Sequence, residues 1–113
     1  MESFVDAIEK FEGQAAEAAE LLKAMANGPR LLVLCHLLVF GEMTVTQLGE
    51  RITLSQSALS QHLARLREDG LVTFRRESQT LHYRVCDDRA ARLLAVLKDI
   101  FCPTLGSDLE QTR

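Results

Sequence analysis

The fold of this chain is decided by residues 55–70, SQSALSQHLARLREDG. Leu59, Leu63 and Leu66 recur there at spacings of four and three, which places them on one side of an α-helix. Gly70 follows and can adopt the left-handed conformation that ends a helix. We therefore predict a helix that buries its leucines and presents its polar side chains outward.

A second helix is predicted directly before this one. Residues 44–47, TVTQ, have the spacing of a capping box, in which the first threonine and the glutamine each satisfy a free N–H at the start of a helix. That helix runs to about Ile52, and a short turn at residues 53–55 separates it from the next. Two helices joined in this way are typical of a helix-turn-helix, which we place at about residues 44–69.

A β-hairpin is predicted at about residues 71–86, because the periodicity changes there from helix to strand. Apolar and polar side chains alternate in residues 71–76, LVTFRR, and again in residues 80–85, TLHYRV. The polar residues 77–79 lie between them and supply the turn. Such a hairpin is a wing with one polar, partly basic face.

A long first helix is predicted at about residues 3–26, because apolar side chains recur there at spacings of three and four on a single stripe. Residues 27–29, NGP, break it, and the proline suits the first turn of a second helix. Residues 31–40, LLVLCHLLVF, are apolar almost all round. We expect this second helix to lie in the core and to end at Gly41.

A last helix is predicted at about residues 88–102. Asp87 or Asp88 can cap its N-terminus, and Pro103 ends it. The chain is then mainly α-helical with a small β-hairpin wing, an α+β winged helix-turn-helix in the order four helices, two strands and one last helix. Apolar helices at both ends of so small a domain favour a homodimer.

The composition fits one winged helix-turn-helix domain over residues 1–113, with 47% hydrophobic and 26% charged residues. The net charge of −3 argues at first against nucleic acid, because phosphate contacts need lysine and arginine. However, residues 1–28 hold six acidic against two basic side chains, whereas residues 55–84 hold five arginines against three acidic side chains. The positive charge therefore lies where a DNA-contacting element would need it.

Several other classes of protein are not expected. No apolar stretch approaches the roughly 20 residues that cross a bilayer, and the N-terminus begins with acidic residues, so we expect a cytoplasmic protein without membrane contact. Cys35, Cys86 and Cys102 are odd in number and widely spaced, unlike a secreted disulfide framework. There is no glycine-rich phosphate loop, nucleophile elbow or carboxylate pair, so an enzyme is not expected.

The outer face of the helix in residues 55–70 is the predicted DNA-contacting surface. Its small hydroxyls allow close approach to a groove, its amides can pair bidentately with adenine, and arginine can bind guanine or phosphate. His62 lies beside the leucine stripe, where we expect half-buried support. The candidate DNA-contacting residues are Gln56, Ser57, Ser60, Gln61 and Arg65 on this helix, with Arg75 and Arg76 on the wing.

Three segments in this order and spacing resemble the arsenic-repressor (ArsR/SmtB) family of bacterial winged-helix regulators: LLKAMANGPRLLVL, LSQSALSQHLARLREDGLV and RRESQTLHYRV. The resemblance covers about residues 15–102. It implies a homodimer formed by the first and last helices, about residues 3–26 and 88–102. Paired recognition helices would enter successive major grooves of a palindromic double-stranded operator, with half-sites about 34 Å apart.

Members of this family usually sense metals, through thiolates in the third helix or Asp and His ligands on the last. Neither set is present, because TVTQLGERI holds no cysteine or histidine and DRAARLLAVLKDIF holds no histidine. We therefore expect no resident metal and no cofactor. One alternative stays open, a metal-responsive repressor that uses Cys35, His36 and Cys102.

Cys35 in LVLCHLL and Cys102 in IFCP resemble the thiols of the persulfide-sensing branch of the family, the SqrR, BigR and HlyU type. There a cysteine of the second helix pairs with one that closes the last helix. The resemblance implies a dithiol repressor that binds its operator when reduced. Reactive sulfur species would bridge Cys35 and Cys102 by a disulfide or polysulfide and release the DNA.

Other interpretations of the same residues stay open. Cys35 could be an inert thiol packed among leucines. Cys86 has no counterpart in the branch and could be a packed residue or a thiol that exchanges with the pair. The chain could also be an activator or anti-silencer that displaces another protein from DNA, since both kinds of regulator bind an operator.

Overall fold

The computed structural model describes residues 3–102, which form six α-helices and one two-stranded antiparallel sheet. The winged helix-turn-helix class predicted from the sequence is confirmed. Pro103, expected to end the last helix, lies outside the described residues. The elements in chain order are α1 (Phe4–Glu12), α2 (Ala15–Met25), α3 (Gly28–Phe40), α4 (Val45–Arg51), α5 (Gln56–Glu68), β1 (Val72–Glu77), β2 (Thr80–Val85) and α6 (Asp88–Phe101).

The single helix predicted at residues 3–26 is wrong, because α1 and α2 are separate helices. Gly13 caps the end of α1, and Gln14, with φ −122° and ψ 3°, leaves the helical conformation before α2 begins. Glycine has low helix propensity, and packing normally holds a marginal helix together. No residue of α1 is buried against the rest of residues 3–102, so no packing in this part of the chain opposes the break.

The second and third helices meet at a bend of 91°. Asn27 Oδ1 accepts a hydrogen bond from the backbone N–H of Arg30 at 3.1 Å, which caps α3, and Pro29 lies in its first turn as predicted. Within residues 3–102, no single helix is long and apolar enough to cross a membrane, and only α2 and α3 taken together across this bend meet that test.

The core is built around α3, as predicted for this apolar helix. Its Val33, Leu34 and Leu37 are buried, and α3 packs against α5, α6 and β2. Further buried side chains close the core: Leu48, Leu59, Leu63, Leu66, Leu71, Val72, Ala90 and Leu94. The helix-turn-helix and the hairpin therefore rest on one hydrophobic centre.

The helix-turn-helix is fixed by its caps. The predicted capping box is present: Thr44 Oγ1 accepts from the Gln47 N–H at 3.1 Å, and Gln47 Oε1 accepts from the Thr44 N–H at 2.9 Å. Ser55 Oγ accepts from the Ala58 N–H at 3.0 Å and starts α5. Gly70, at φ +78°, provides the left-handed stop after α5.

The wing is anchored to the residue before the capping box. Its register runs from Val72 opposite Val85 to Glu77 opposite Thr80. Met43 exchanges two backbone hydrogen bonds with Tyr83, at 3.0 and 2.9 Å. This bridge holds the hairpin beside the helix-turn-helix.

Candidate nucleic-acid interface and thiol site

The predicted DNA-contacting side chains of α5 lie together on its outer face. The three leucines of the inner stripe are fully buried, which turns the opposite side of the helix to solvent. His62 is half-buried, as expected for a supporting residue. The five candidates on this helix are all exposed: Gln56, Ser57, Ser60, Gln61 and Arg65.

The N-terminus of α5 belongs to the same surface. The first N–H groups of a helix lack partners within the helix, and the helix dipole gives this end a partial positive charge. Ser55 satisfies one of these donors, and others stay available to an anion such as a backbone phosphate. At the opposite end, Arg65 pairs with Asp69 (Nε–Oδ2 3.4 Å), so the arginine is partly neutralised.

The wing does not bring Arg75 and Arg76 to one face. They are neighbours on β1, and successive residues of a strand project to opposite sides of the sheet. Arg75 lies opposite His82 in the register, and Arg84 on β2 projects to the same side as both. Arg84 is exposed and joins the candidate set on the face of Arg75. The sequence-based candidates lacked it, although strand alternation and the register were signals for it.

Acidic side chains flank Arg75. Its Nε donates to Glu42 Oε1 and Oε2 at 3.0 and 3.1 Å, and its Nη1 lies 3.8 Å from Glu77 Oε2. Arg76 is exposed and makes no ion pair with any residue between 3 and 102. The two wing arginines therefore differ in how freely they can meet a phosphate.

A cavity of about 350 Å³ lies between α3 and α6, and both predicted sensor cysteines line it. We call it the thiol cavity. Cys35 is half-buried in the middle of α3, and Cys102 is exposed at the C-cap of α6, where its N–H donates to the Lys98 carbonyl at 2.7 Å. The rest of the lining is mainly apolar: Leu31, Leu32, His36, Leu38, Val39, Leu94, Leu97, Lys98 and Phe101.

Burial raises the pKa of the Cys35 thiol above its ordinary value, and the negative charge of Cys102 raises it further. Both effects disfavour the Cys35 thiolate. The thiol cavity brings the predicted pair to one site, with the Cys102 thiol open to solvent and the thiolate form of Cys35 disfavoured.

The comparison with known proteins matches the segment that contains α3, α4 and α5 to a known family. Residues 27–73 match the family model described as bacterial regulatory protein, arsR family. Over 95 residues the chain is 46% identical to the transcriptional activator HlyU of Vibrio cholerae, an alignment that covers 84% of this chain and 87% of that protein. The chain belongs to the arsR family. It is also 44% identical over 91 residues to the biofilm growth-associated repressor of Agrobacterium fabrum, which covers 80% of this chain and 77% of that protein.

The solved structure of reduced HlyU from Vibrio cholerae is also similar to this arsR-family chain. The TM-score is 0.77 at 47% sequence identity, and the match covers 83% of this chain and 98% of that one. One relative is named an activator and another a repressor. The expectation of a transcriptional regulator that is not an enzyme is confirmed by these relatives.

Metal ligands are not gathered among the described residues of this arsR-family chain. No group of three or more His, Cys, Asp or Glu side chains within residues 3–102 could hold a metal ion. The alternative set of Cys35, His36 and Cys102 forms no such group. Nδ1 of His36 instead lies 2.7 Å from the carbonyl oxygen of Leu32, which requires a proton on that nitrogen.

Cys86 stands apart from the thiol cavity. It follows β2, is exposed, and its Sγ donates to the Gly70 carbonyl at 3.4 Å. The interpretation of Cys86 as a packed residue is therefore wrong. As an accessible thiol outside the pair, it has to be removed in any experiment that counts sulfur on Cys35 and Cys102.

Proposed function

We propose that this arsR-family regulator is a dimeric dithiol repressor. The reduced dimer binds a palindromic operator, and a persulfide joins Cys35 to Cys102 and releases the DNA. The observation that carries the proposal is the thiol cavity, where the two cysteines share one mainly apolar space between α3 and α6.

Operator binding is assigned to α5 and the wing. Ser57 and Gln61 lie near the middle of the exposed face of α5, opposite the buried leucines. Backbone N–H groups at the start of α5 and the wing arginines would hold phosphates and set the register, while the amides would contact base edges. The exposed hydroxyl and amide side chains of α5 lie in a helix-turn-helix that is followed by a wing, and this combination favours DNA binding over an ordinary solvent-exposed helix face.

The dimer is supported by apolar side chains that the single chain leaves in solvent. On α1, Phe4 is 89% exposed, Ile8 60% and Phe11 59%. On α6, Val96, Ile100 and Phe101 are also exposed. Contiguous exposed apolar surface on a small domain marks an interaction site. A two-fold interface through α1 and α6 would pair two copies of α5, as a palindromic operator requires.

The thiol chemistry begins at Cys102, because its thiol is exposed while that of Cys35 is half-buried. The Cys102 thiolate attacks the terminal sulfur of a persulfide RS–SH, an S–S bond forms to that sulfur, and RS⁻ leaves. The Cys35 thiolate then attacks Sγ of Cys102, which closes the disulfide and expels HS⁻. The two cysteines lose two electrons, and the sulfane sulfur that leaves as sulfide accepts them.

The thiol cavity also has room for a longer bridge. A direct disulfide needs Cα atoms roughly 4.4 to 6.8 Å apart, whereas an inserted sulfur spans a wider gap. If Cys102 gains a second sulfur before closure, attack of Cys35 on the first added sulfur leaves a trisulfide and again expels HS⁻. A mainly apolar cavity of about 350 Å³ suits such uncharged sulfur atoms.

The test is intact mass spectrometry on the Cys86→Ser protein, read beside an operator-binding assay after treatment with glutathione persulfide. We expect the intact mass to show a closed bridge between the two cysteines, either a disulfide or a bridge with whole added sulfur atoms. We expect operator binding to be lost at the same time. Cys35→Ser and Cys102→Ser, each combined with Cys86→Ser, should bind the operator and keep binding it after treatment. A single-thiol variant that releases DNA like the parent would refute the two-thiol mechanism.

Activation is the second candidate, favoured by the 46% identity to a protein named a transcriptional activator. Such a regulator would use the same operator contacts to displace another protein from DNA. Transcription from the bound promoter, measured in a purified system, separates the two. Purified regulator alone should reduce transcription if it represses, and should raise it only in the presence of a second DNA-bound protein if it displaces one.

A further inference from the structure

Phe40 contacts two side chains that belong to different parts of the molecule. Its ring stacks with that of His36, with centroids 6.2 Å apart and planes inclined by 28°. The guanidinium carbon of Arg51 lies 4.2 Å from the centroid of the Phe40 ring, within cation–π range. We call these three residues the Phe40 stack.

The Phe40 stack spans from the thiol cavity to the helix-turn-helix. His36 directly follows Cys35 and lines the thiol cavity. Arg51 is the last residue of α4 and precedes the turn that aims α5. A second cavity, of about 610 Å³, lies between the start of α3 and residues 51–54, and Leu32 and His36 line both cavities. Leu32 and His36 therefore form a shared wall between the thiol cavity and the turn that follows α4.

We propose that the Phe40 stack carries the state of the thiols to the helix-turn-helix, with Phe40 and Arg51 as positioning residues. This inference rests on the proposed function. Closing a bridge between Cys35 and Cys102 changes how α3 and α6 approach each other around the thiol cavity. The His36 ring is held to its own helix by the hydrogen bond to Leu32, so it moves with α3. Phe40 and Arg51 pass that movement to the end of α4.

Phe40 does not belong to the core formed by the described residues. It is 45% exposed at the end of α3, while the buried side chains of that helix already form the core. An exposed ring that orders a charged side chain contributes little to stability, because water weakens a cation–π contact at an exposed site. Its two contacts nevertheless join α3, which carries Cys35, to Arg51 at the end of α4.

The experiment compares operator affinity of reduced and bridged protein in a Cys86→Ser background, for the parent and for Phe40→Leu. Phe40→Leu keeps an apolar side chain and removes the ring. We expect the same bridge by intact mass and the same affinity when reduced, while the ratio of reduced to bridged affinity falls about three- to tenfold. Phe40→Tyr retains the ring and should restore the parent ratio.

Two further variants keep the test decisive. Arg51→Met removes the guanidinium and keeps most of the stem, so it should lower the ratio even if Phe40→Leu does not fold. The matched control is Arg67→Met, which removes a guanidinium 4.3 Å from the ring centroid of Phe74 and outside both cavities. That control should leave the ratio at the parent value.

The outcomes separate this inference from the proposed function. If the parent loses affinity on bridging and Phe40→Leu and Arg51→Met lose as much, the relay is overturned and the dithiol repressor stands. A fall in affinity that is equal in the reduced and bridged states would also overturn it, since that is the effect of a merely structural residue. If bridging changes nothing in the parent, the proposed function fails and the relay with it.

Discussion

Glu42 holds Arg75 by both of its carboxylate oxygens, which lie 3.0 and 3.1 Å from Nε of the arginine. Glu42 lies between α3 and α4, whereas Arg75 lies on the wing. Both side chains are partly exposed, so the pair is reachable by solvent and by a phosphate. A wing arginine expected to contact DNA is therefore occupied by an acidic side chain in the free protein, and a phosphate has to compete with it.

Removing this competitor should strengthen DNA binding. We expect Glu42→Gln to raise operator affinity by about two- to fivefold, the range of one exposed ion pair. Arg75→Gln should weaken binding to all duplexes and reduce the slope of log affinity against log salt by about one. Fluorescence anisotropy over a salt series measures both quantities.

Glu9→Gln on α1 is the matched control, because it changes the net charge equally and lies on another element. Its salt slope and affinity should stay close to those of the parent. An unchanged slope in Arg75→Gln would show that Arg75 stays with Glu42 in the complex and makes no phosphate contact.

The N-cap residue of α5 and a residue on its outer face should give opposite phenotypes. Ser55 caps the helix, so Ser55→Ala should lower the free energy of unfolding by about 1 kcal/mol. Gln61 is exposed on the outer face, so Gln61→Ala should leave stability within about 0.5 kcal/mol of the parent. Its operator affinity should fall by about 1–3 kcal/mol, with little change on a scrambled duplex. Urea unfolding and titrations with both duplexes test this pair, and an equal loss on the two duplexes would argue against base contact by Gln61.

The winged helix-turn-helix could be predicted because its signals are local. The leucine stripe, the capping box at Thr44 and the stop at Gly70 each depend on neighbours within a few residues. The break at Gly13 could not be predicted from the stripe, since the apolar spacing continues across it. Periodicity shows which side of a helix is apolar and leaves open whether the helix continues.

The candidate DNA-binding and thiol sites were only partly predictable, because some of their features are contacts between residues far apart in the sequence. The pairing of Glu42 with Arg75 depends on how the wing docks on the segment before α4, which the Met43–Tyr83 bridge sets. The sharing of one cavity by Cys35 and Cys102 depends on how α3 packs against α6. From the sequence these two thiols could be paired only through a family resemblance.

The apolar face of α1 should control self-association. Ile8 is 60% exposed and α1 buries no residue in the part of the chain that the structure describes, so Ile8→Glu should leave the fold intact. If the proposed dimer interface buries Ile8, losing it from each subunit should weaken dimerisation about tenfold or more, given about 1.5–3 kcal/mol for each side chain buried there. Sedimentation equilibrium measures the change, with Glu9→Ala on the same helix as control. A dimer of parental affinity in Ile8→Glu would exclude α1 from the interface.

The closing of the sulfur bridge should depend on pH through Cys35. Burial, and then the charge of Cys102, raise the pKa of the Cys35 thiol, which lowers its thiolate fraction at neutral pH. Since only the thiolate attacks, the closing step should accelerate about tenfold per pH unit until the pH passes the raised pKa. Acid quenching at short times, followed by mass spectrometry of Cys86→Ser protein, should show the Cys102 persulfide intermediate lasting longest at low pH. Cys35→Ser should accumulate that intermediate at every pH, and a closing rate that stays level as the pH rises would show that Cys35 is not the thiol that closes the bridge.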